Sequence, residues 1–190
     1  MNECYISVDI ETTGPTPGKY SMYELGACVV GNEGERFSAD ILLLSPKSYD
    51  RETLKAMKTT GAALLGRTGA EHYAKVMRRF ARWVIRVAGG RTPIFVGNNA
   101  PFDWMFVAWY FTESRVKNPF GHSALDMKAY FMGMTHSTWK QANLKNMAYY
   151  LDVPFVALPH KAVEDALLQS KIFARLAGMN GPYGRDGERE

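Results

Sequence analysis

The chain has 190 residues, 46% of them apolar and 22% charged, a length and balance that fit one folded domain and exclude a disordered chain. Its 23 basic and 19 acidic side chains leave a net charge of +4, a mild lean toward polyanionic partners. No apolar run approaches the roughly 20 residues that span a membrane, the start Met1-Asn2-Glu3-Cys4 lacks a signal-peptide pattern, and Cys4 and Cys28, far apart, suit reduced thiols in a cytoplasmic protein better than a disulfide scaffold or zinc ribbon.

The first predicted strand is Tyr5 to Glu11. Ile6, Val8 and Ile10 point one way and Tyr5, Ser7, Asp9 and Glu11 the other. Thr12 to Gly18, with two prolines and two glycines, breaks the regular structure. A second strand follows from about Tyr23 to Val30. Gly31-Asn32-Glu33-Gly34 has hairpin-turn composition, and a third strand runs from Arg36 to Leu44. Tyr73, Val76, Met77, Phe80, Trp83, Val84 and Val87 recur at helical spacing and predict a helix over 70–88, ended by Gly89-Gly90. Pro93 to Val96 is a short strand. A helix begins near Pro101, a residue suited to a first turn. Another strand ends near Asp126, and helices follow over 143–151 and 161–177. Strands first, then strands alternating with helices, predict an α/β domain with a mixed sheet over 1–180. The last ten residues, 181–190, have the composition of a flexible tail.

The acids stand at element ends. Asp9 and Glu11 are two apart on a strand and so share a face, where they either grip a divalent cation or meet water. Asp103 and Asp165 each fall in a first helical turn, where the helix dipole alone accounts for an acid. His160 precedes Asp165 by five positions, which sets a loop imidazole near a helix-borne carboxylate. His72, His122 and His136 have no such partner.

Taken in order, the motifs carry a resemblance. Val8-Asp9-Ile10-Glu11-Thr12-Thr13-Gly14, then Tyr23-Glu24-Leu25-Gly26-Ala27, then Val96-Gly97-Asn98-Asn99-Ala100-Pro101-Phe102-Asp103, and last Pro159-His160-Lys161-Ala162-Val163-Glu164-Asp165-Ala166 resemble the DEDDh group of 3′-to-5′ exonucleases over nearly the whole chain. The resemblance implies a ribonuclease H-like fold: a central mixed five-stranded sheet flanked by helices, its first three strands antiparallel and the later ones parallel to the first. It implies hydrolysis of single-stranded 3′ ends of RNA or DNA, with release of nucleoside 5′-monophosphates. It implies two divalent cations, Mg²⁺ or Mn²⁺, suited to hard oxygen ligands. Asp9 would bridge them, Glu11 and Asp165 would help hold the one nearer the attacking water, and Asp103 would support the other. His160 would be the general base. Thr12 and Thr13 become candidates for the terminal sugar. Phe102 is either a contact for the last base or core. Trp139, followed by Lys140, is either a single-strand contact or an ordinary surface aromatic.

Asn98-Asn99 stands where the family often has His-Asn, and the region 50–72 matches nothing and reads as a variable helix or a lid. Family members include dimers, so a homodimer is among the implied states. The motifs leave RNA against DNA open. A ribonuclease H-type endonuclease and a non-catalytic or polymerase-associated binding module of the same fold are the competing readings.

Overall fold

Alternation along the first strand sets the layers. In the computed structural model, which describes residues 2–44, 48–155 and 160–178, β1 runs from Glu3 to Thr12. Cys4, Ile6, Val8 and Ile10 enter one apolar core, and Tyr5 on the other face packs against a second, as a period of two requires. β2 (Met22–Val29) is buried throughout and pairs antiparallel with β1, with Asp9 opposite Gly26 and Glu11 opposite Glu24. β3 (Asn32–Asp40) pairs antiparallel with β2.

The hairpin falls earlier than the composition suggests. Val29 pairs with Asn32, so the loop is only Val30 and Gly31, with Gly31 at φ +79°. Glycine takes that left-handed conformation without steric cost. The polar run from Asn32 to Glu35 imitates a turn because β3 is an edge strand, and polar edges discourage further pairing. At its far end, Ile41 bridges to Glu71, and Leu43 leaves the sheet to pack with Tyr23, Leu54 and Leu64. That small cluster anchors two short helices in the region that matched nothing: α1 (Arg51–Ala56), capped by Asp50, and α2 (Gly61–Leu65), capped by Thr60.

α3 (Tyr73–Ala88) buries Val76, Met77, Phe80, Trp83 and Val84, the predicted stripe. His72 is its N-cap, with Nδ1 accepting from the Ala74 N–H at 3.3 Å. β4 (Thr92–Gly97) lies parallel to β1. α4 (Ala100–Glu113) leads to β5 (Ala124–Asp126), parallel to β4. α5 (Met127–Thr135) has no counterpart in the sequence reading, because it buries only Met127 and Phe131, too few for a stripe. α6 (Leu144–Tyr150) and α7 (Ala162–Leu176) follow as predicted.

The sheet order is β3-β2-β1-β4-β5, the expected mixed five-stranded sheet. α3 and α4 cover the Val8 face. α5, α6 and α7 share the other, through Phe131, Met147, Ile172 and Phe173. Cys4 and Cys28 are buried free thiols. Among the described residues no helix is long and apolar enough to cross a membrane. The tail expected over 181–190 lies outside the described residues, as does Pro159 of the last motif.

Candidate active site

β1 outruns its parallel neighbour. Its pairing with β4 ends at Ser7 opposite Val96, so the backbone beyond needs other partners. Asp103 supplies one: its Oδ1 accepts from the Ile10 N–H at 3.2 Å. Asp103 is buried in the first turn of α4. That helix starts at left-handed Asn99 (φ 64°), which makes no side-chain cap. Asp126, the last residue of β5, does the capping for two helices. Its Oδ1 accepts from the Ala100 N–H of α4 at 3.0 Å, and its Oδ2 from the Ala129 N–H of α5 at 3.1 Å.

α7 is placed from β2. Its N-cap, Lys161, makes no side-chain bond. Glu24 takes the task, Oε1 accepting from the Ala162 N–H at 3.0 Å. Glu24 also pairs with Arg67 at 3.4 Å. Beside it, Gly26 lets the helix start touch the sheet: a β-carbon there would lie 2.2 Å from the Ala162 carbonyl carbon and the Val163 nitrogen. This contact carries Asp165 to the face that bears Asp9 and Glu11.

One turn further along α7 is Gln169, 1% exposed. Its Oε1 accepts from the Asn98 N–H at 2.9 Å, and its Nε2 donates to Asp9 Oδ1 at 2.6 Å. The backbone donor fixes which way the amide faces, because an N–H needs the oxygen. Gln169 therefore ties the loop before α4 to the central acid of β1. Gln169→Leu leaves the half-buried Asn98 N–H and the Asp9 carboxylate without their shared partner, and it is expected to cost about 1–3 kcal/mol of stability. Urea denaturation of the variant checks this; an unchanged midpoint would contradict it.

The structure brings the five predicted catalytic residues into one neighbourhood. Ligand atoms of Glu11, His160 and Asp165 all lie within 4.8 Å of one another. His160 is exposed and left-handed (φ 51°), a conformation for which histidine is enriched among non-glycine residues. Asp9 adjoins by electrostatics: burial, then Asp103, Asp165 and Glu11, push its carboxyl well above the ordinary range, against the Gln169 bond. Burial, then Asp165, Glu24 and Asp103, raise Glu11 to about 8. Burial raises Asp103 to about 8, opposed by the Ile10 N–H. Burial, then Glu24 and Glu164, raise Asp165 to about 7.

These acids fit divalent cations. Asp165 Oδ1 is buried without a hydrogen-bond partner, a costly state for a polar atom. Carboxylates that hold protons near neutrality for lack of a counter-charge are hard-oxygen donors a cation would satisfy. The pH consequence has a definite sign. Folded, Glu11, Asp103 and Asp165 keep protons up to about 7 or 8; unfolded, carboxyls release them near 4. The stability they contribute is full below about 4 and is lost as pH rises through their folded values. Mg²⁺ or Mn²⁺ competes with those protons. The gain in melting temperature on adding either ion, relative to chelator, is expected to be larger at pH 8 than at pH 5. An equal gain at both would contradict this.

The remaining expected residues fall differently. Thr12 and Thr13 are buried. Thr12 Oγ1 donates to the Gly14 carbonyl at 2.9 Å, and Thr13 Oγ1 donates to the Ser48 carbonyl at 3.0 Å while accepting from the Ser21 N–H at 2.9 Å. Their hydroxyls close the loop after β1. Phe102 is half-buried against the main core, 5.5 Å from the Phe106 ring. Trp139 lies in the segment between α5 and α6, with Lys128 Nζ 3.7 Å from its ring centre. Sequence reasoning missed Gln169 and Asp126, for which no local pattern exists. Glu24 and Gly26 stand in a quoted motif, yet only the fold reveals what they touch.

Known proteins resemble this chain in sequence and in fold. The RNase T family model, described as exonuclease, matches residues 6–173. The 3′-5′ DNA exonuclease Cap18 of Escherichia coli is 38% identical over 174 residues, 90% of each chain. Among solved structures, the nuclease domain of 3′hExo, a DEDDh family member bound to rAMP, aligns with a TM-score of 0.72 at 15% identity, covering 99% of this chain and 96% of that one. S. pombe Pop2p in its Mg²⁺- and Mn²⁺-bound form aligns at 0.66 and 16% identity, over 96% and 86%. From the match along most of its length and from the relative so similar to it, this chain belongs to the RNase T exonuclease family.

Proposed function

We propose that this exonuclease removes nucleotides one at a time from single-stranded 3′ ends, using two divalent cations and His160 as general base. The observation that carries the reading is the meeting of Glu11, His160 and Asp165 ligand atoms within 4.8 Å, beside an Asp165 oxygen that has no protein partner. Among the described residues no hydrogen bond of the His160 side chain holds the fold together, whereas the His72 side chain caps a helix.

Divalent cations held by Asp9, Glu11, Asp103 and Asp165 would neutralise the phosphodiester charge that repels a nucleophile. The protein's own part is positional. Gln169 fixes the Asp9 carboxylate, the Ile10 N–H fixes Asp103, and Glu24 with Gly26 fixes the helix that bears Asp165. His160, on an exposed loop at the mouth of the cluster, takes a proton from the attacking water, a task that suits an imidazole near neutral pH. The leaving oxygen is the 3′-oxygen of the shortened strand, and the product is a nucleoside 5′-monophosphate. DNA is the preferred polymer in this reading, because the relative at 38% identity is named a DNA exonuclease.

The test uses 5′-labelled single-stranded DNA and RNA of matched sequence with Mg²⁺, Mn²⁺ or chelator. A ladder shortening from the 3′ end is expected with metal and lost in chelator and in Asp9→Ala, faster on DNA. Cleavage of a circular strand would point instead to an endonuclease. Binding without any metal-dependent shortening would point to a non-catalytic module.

A further inference from the structure

The segment from Met127 to Leu151 contains Lys128, Lys140 and Lys145 and no aspartate or glutamate. Large rings stand out of the same segment: Tyr149 is 90% exposed, Tyr150 65% and Trp139 51%. Exposed rings of that size mark a contact surface more often than chance. Tyr149 and Tyr150 border a groove of about 440 Å³ between the end of α5 and α6, lined also by Phe131, His136, Gln141 and Asn146; Trp139 and the three lysines flank these lining residues along the chain. Lys145 and Tyr149 are four apart on α6 and so share a face. Lys128 lies over one side of the Trp139 indole.

We propose that this groove is a second binding site for single-stranded nucleic acid, holding the substrate strand upstream of the 3′ end bound at the carboxylates. The inference rests on the exonuclease reading for its choice of strand. Interleaved rings and lysines without acids match the way single strands are held, by stacking on aromatics along a cationic track. A protein partner would meet a surface depleted in lysine instead. Connectivity places the groove within reach. Asp126 caps both α4, which bears Asp103 one turn in, and α5. From there the nine residues of α5 extend about 13 Å at roughly 1.5 Å each, farther than a single nucleotide reaches. A trimer ending at the carboxylates reaches the near edge of the groove at most, and a fifteen-mer crosses it.

The experiment compares wild type, Trp139→Ala/Tyr149→Ala and Trp139→Ala/Tyr149→Phe. Two quantities are read: the Kd of a fluorescent DNA fifteen-mer in chelator, and the ratio of kcat/KM for fifteen-mer over trimer with Mg²⁺. The double alanine variant is expected to weaken fifteen-mer binding about ten-fold or more and to lower the ratio correspondingly, and Tyr149→Phe is expected to recover part of both. An unchanged Kd overturns the proposal, as does an equal loss of kcat/KM on trimer and fifteen-mer. Loss of self-association in the variant with an unchanged Kd also overturns it and assigns the surface to a second copy of the chain. If the wild type binds the fifteen-mer through these rings but shortens nothing, the groove stands and the exonuclease reading fails.

Discussion

Gly26→Ala is expected to lower the rate of 3′-end shortening by about two orders of magnitude while leaving a folded protein. The added methyl would sit 2.2 Å from the backbone of Ala162 and Val163, and backbone cannot rotate out of the way as a side chain can. Either α7 lifts from β2 or the strand bends. Overpacking of this kind costs about 1–3 kcal/mol, which a domain of this size survives. Catalysis is less forgiving. Asp165 rides on the displaced helix start, and misplacement by about 1 Å can cost on the order of 10²-fold. Gly34→Ala provides the contrast in the neighbouring strand, since its nearest foreign atom is the Asn32 side-chain oxygen at 3.5 Å, an ordinary contact. Urea denaturation and ladder rates on both variants check the claim. A Gly26→Ala enzyme with wild-type turnover would mean that the helix contact does not position the site.

His160→Ala is the second large effect. General-base catalysis contributes typically about 10²–10⁴-fold, and a loss in that range is expected on single-stranded DNA at saturating Mg²⁺. The carboxylates stay in place, because none of the hydrogen bonds that fix Asp9, Asp103 or the start of α7 involves the imidazole. The variant is therefore expected to keep the metal-dependent rise in melting temperature, whereas Asp9→Ala should lose much of it along with activity. Unchanged turnover in His160→Ala would remove the histidine from the chemistry. Loss of the metal effect together with turnover would recast it as a ligand.

How much of this could be read from the chain depended on whether the information was local. β1 was legible because Ile6, Val8 and Ile10 alternate with polar residues, and α3 because its apolar stripe is complete. α5 was not, since it buries two residues and leaves Tyr130 and Met134 in solvent. α1 and α2 are held by a three-residue cluster, and such short helices depend on tertiary contacts rather than on pattern. β3 misled because a polar edge strand and a turn draw on the same residues. The acids of the candidate site were legible through motif order. Their supports were not: Gln169 reaches Asp9 across 160 positions, and Glu24 reaches Ala162 across 138. Neither separation leaves a trace in local composition. The internal bonds of the Thr12 and Thr13 hydroxyls and the packing of Phe102 on Phe106 are likewise invisible in the motifs that contain them.

The bond between Gln169 and Asp9 also bears on the birth of the molecule. Strands β1 to β5 and the candidate-site acids Asp9, Glu11 and Asp103 are synthesised before α7, yet the carboxylate at position 9 is fixed only when Gln169 of that helix arrives. Contacts this distant form late in folding, and chains emerge from the ribosome amino end first. A partly made copy, with Asp165, Gln169 and His160 still to come, holds its early acids without the groups that organise them. The site is therefore complete only once the closing helix has been added to the chain.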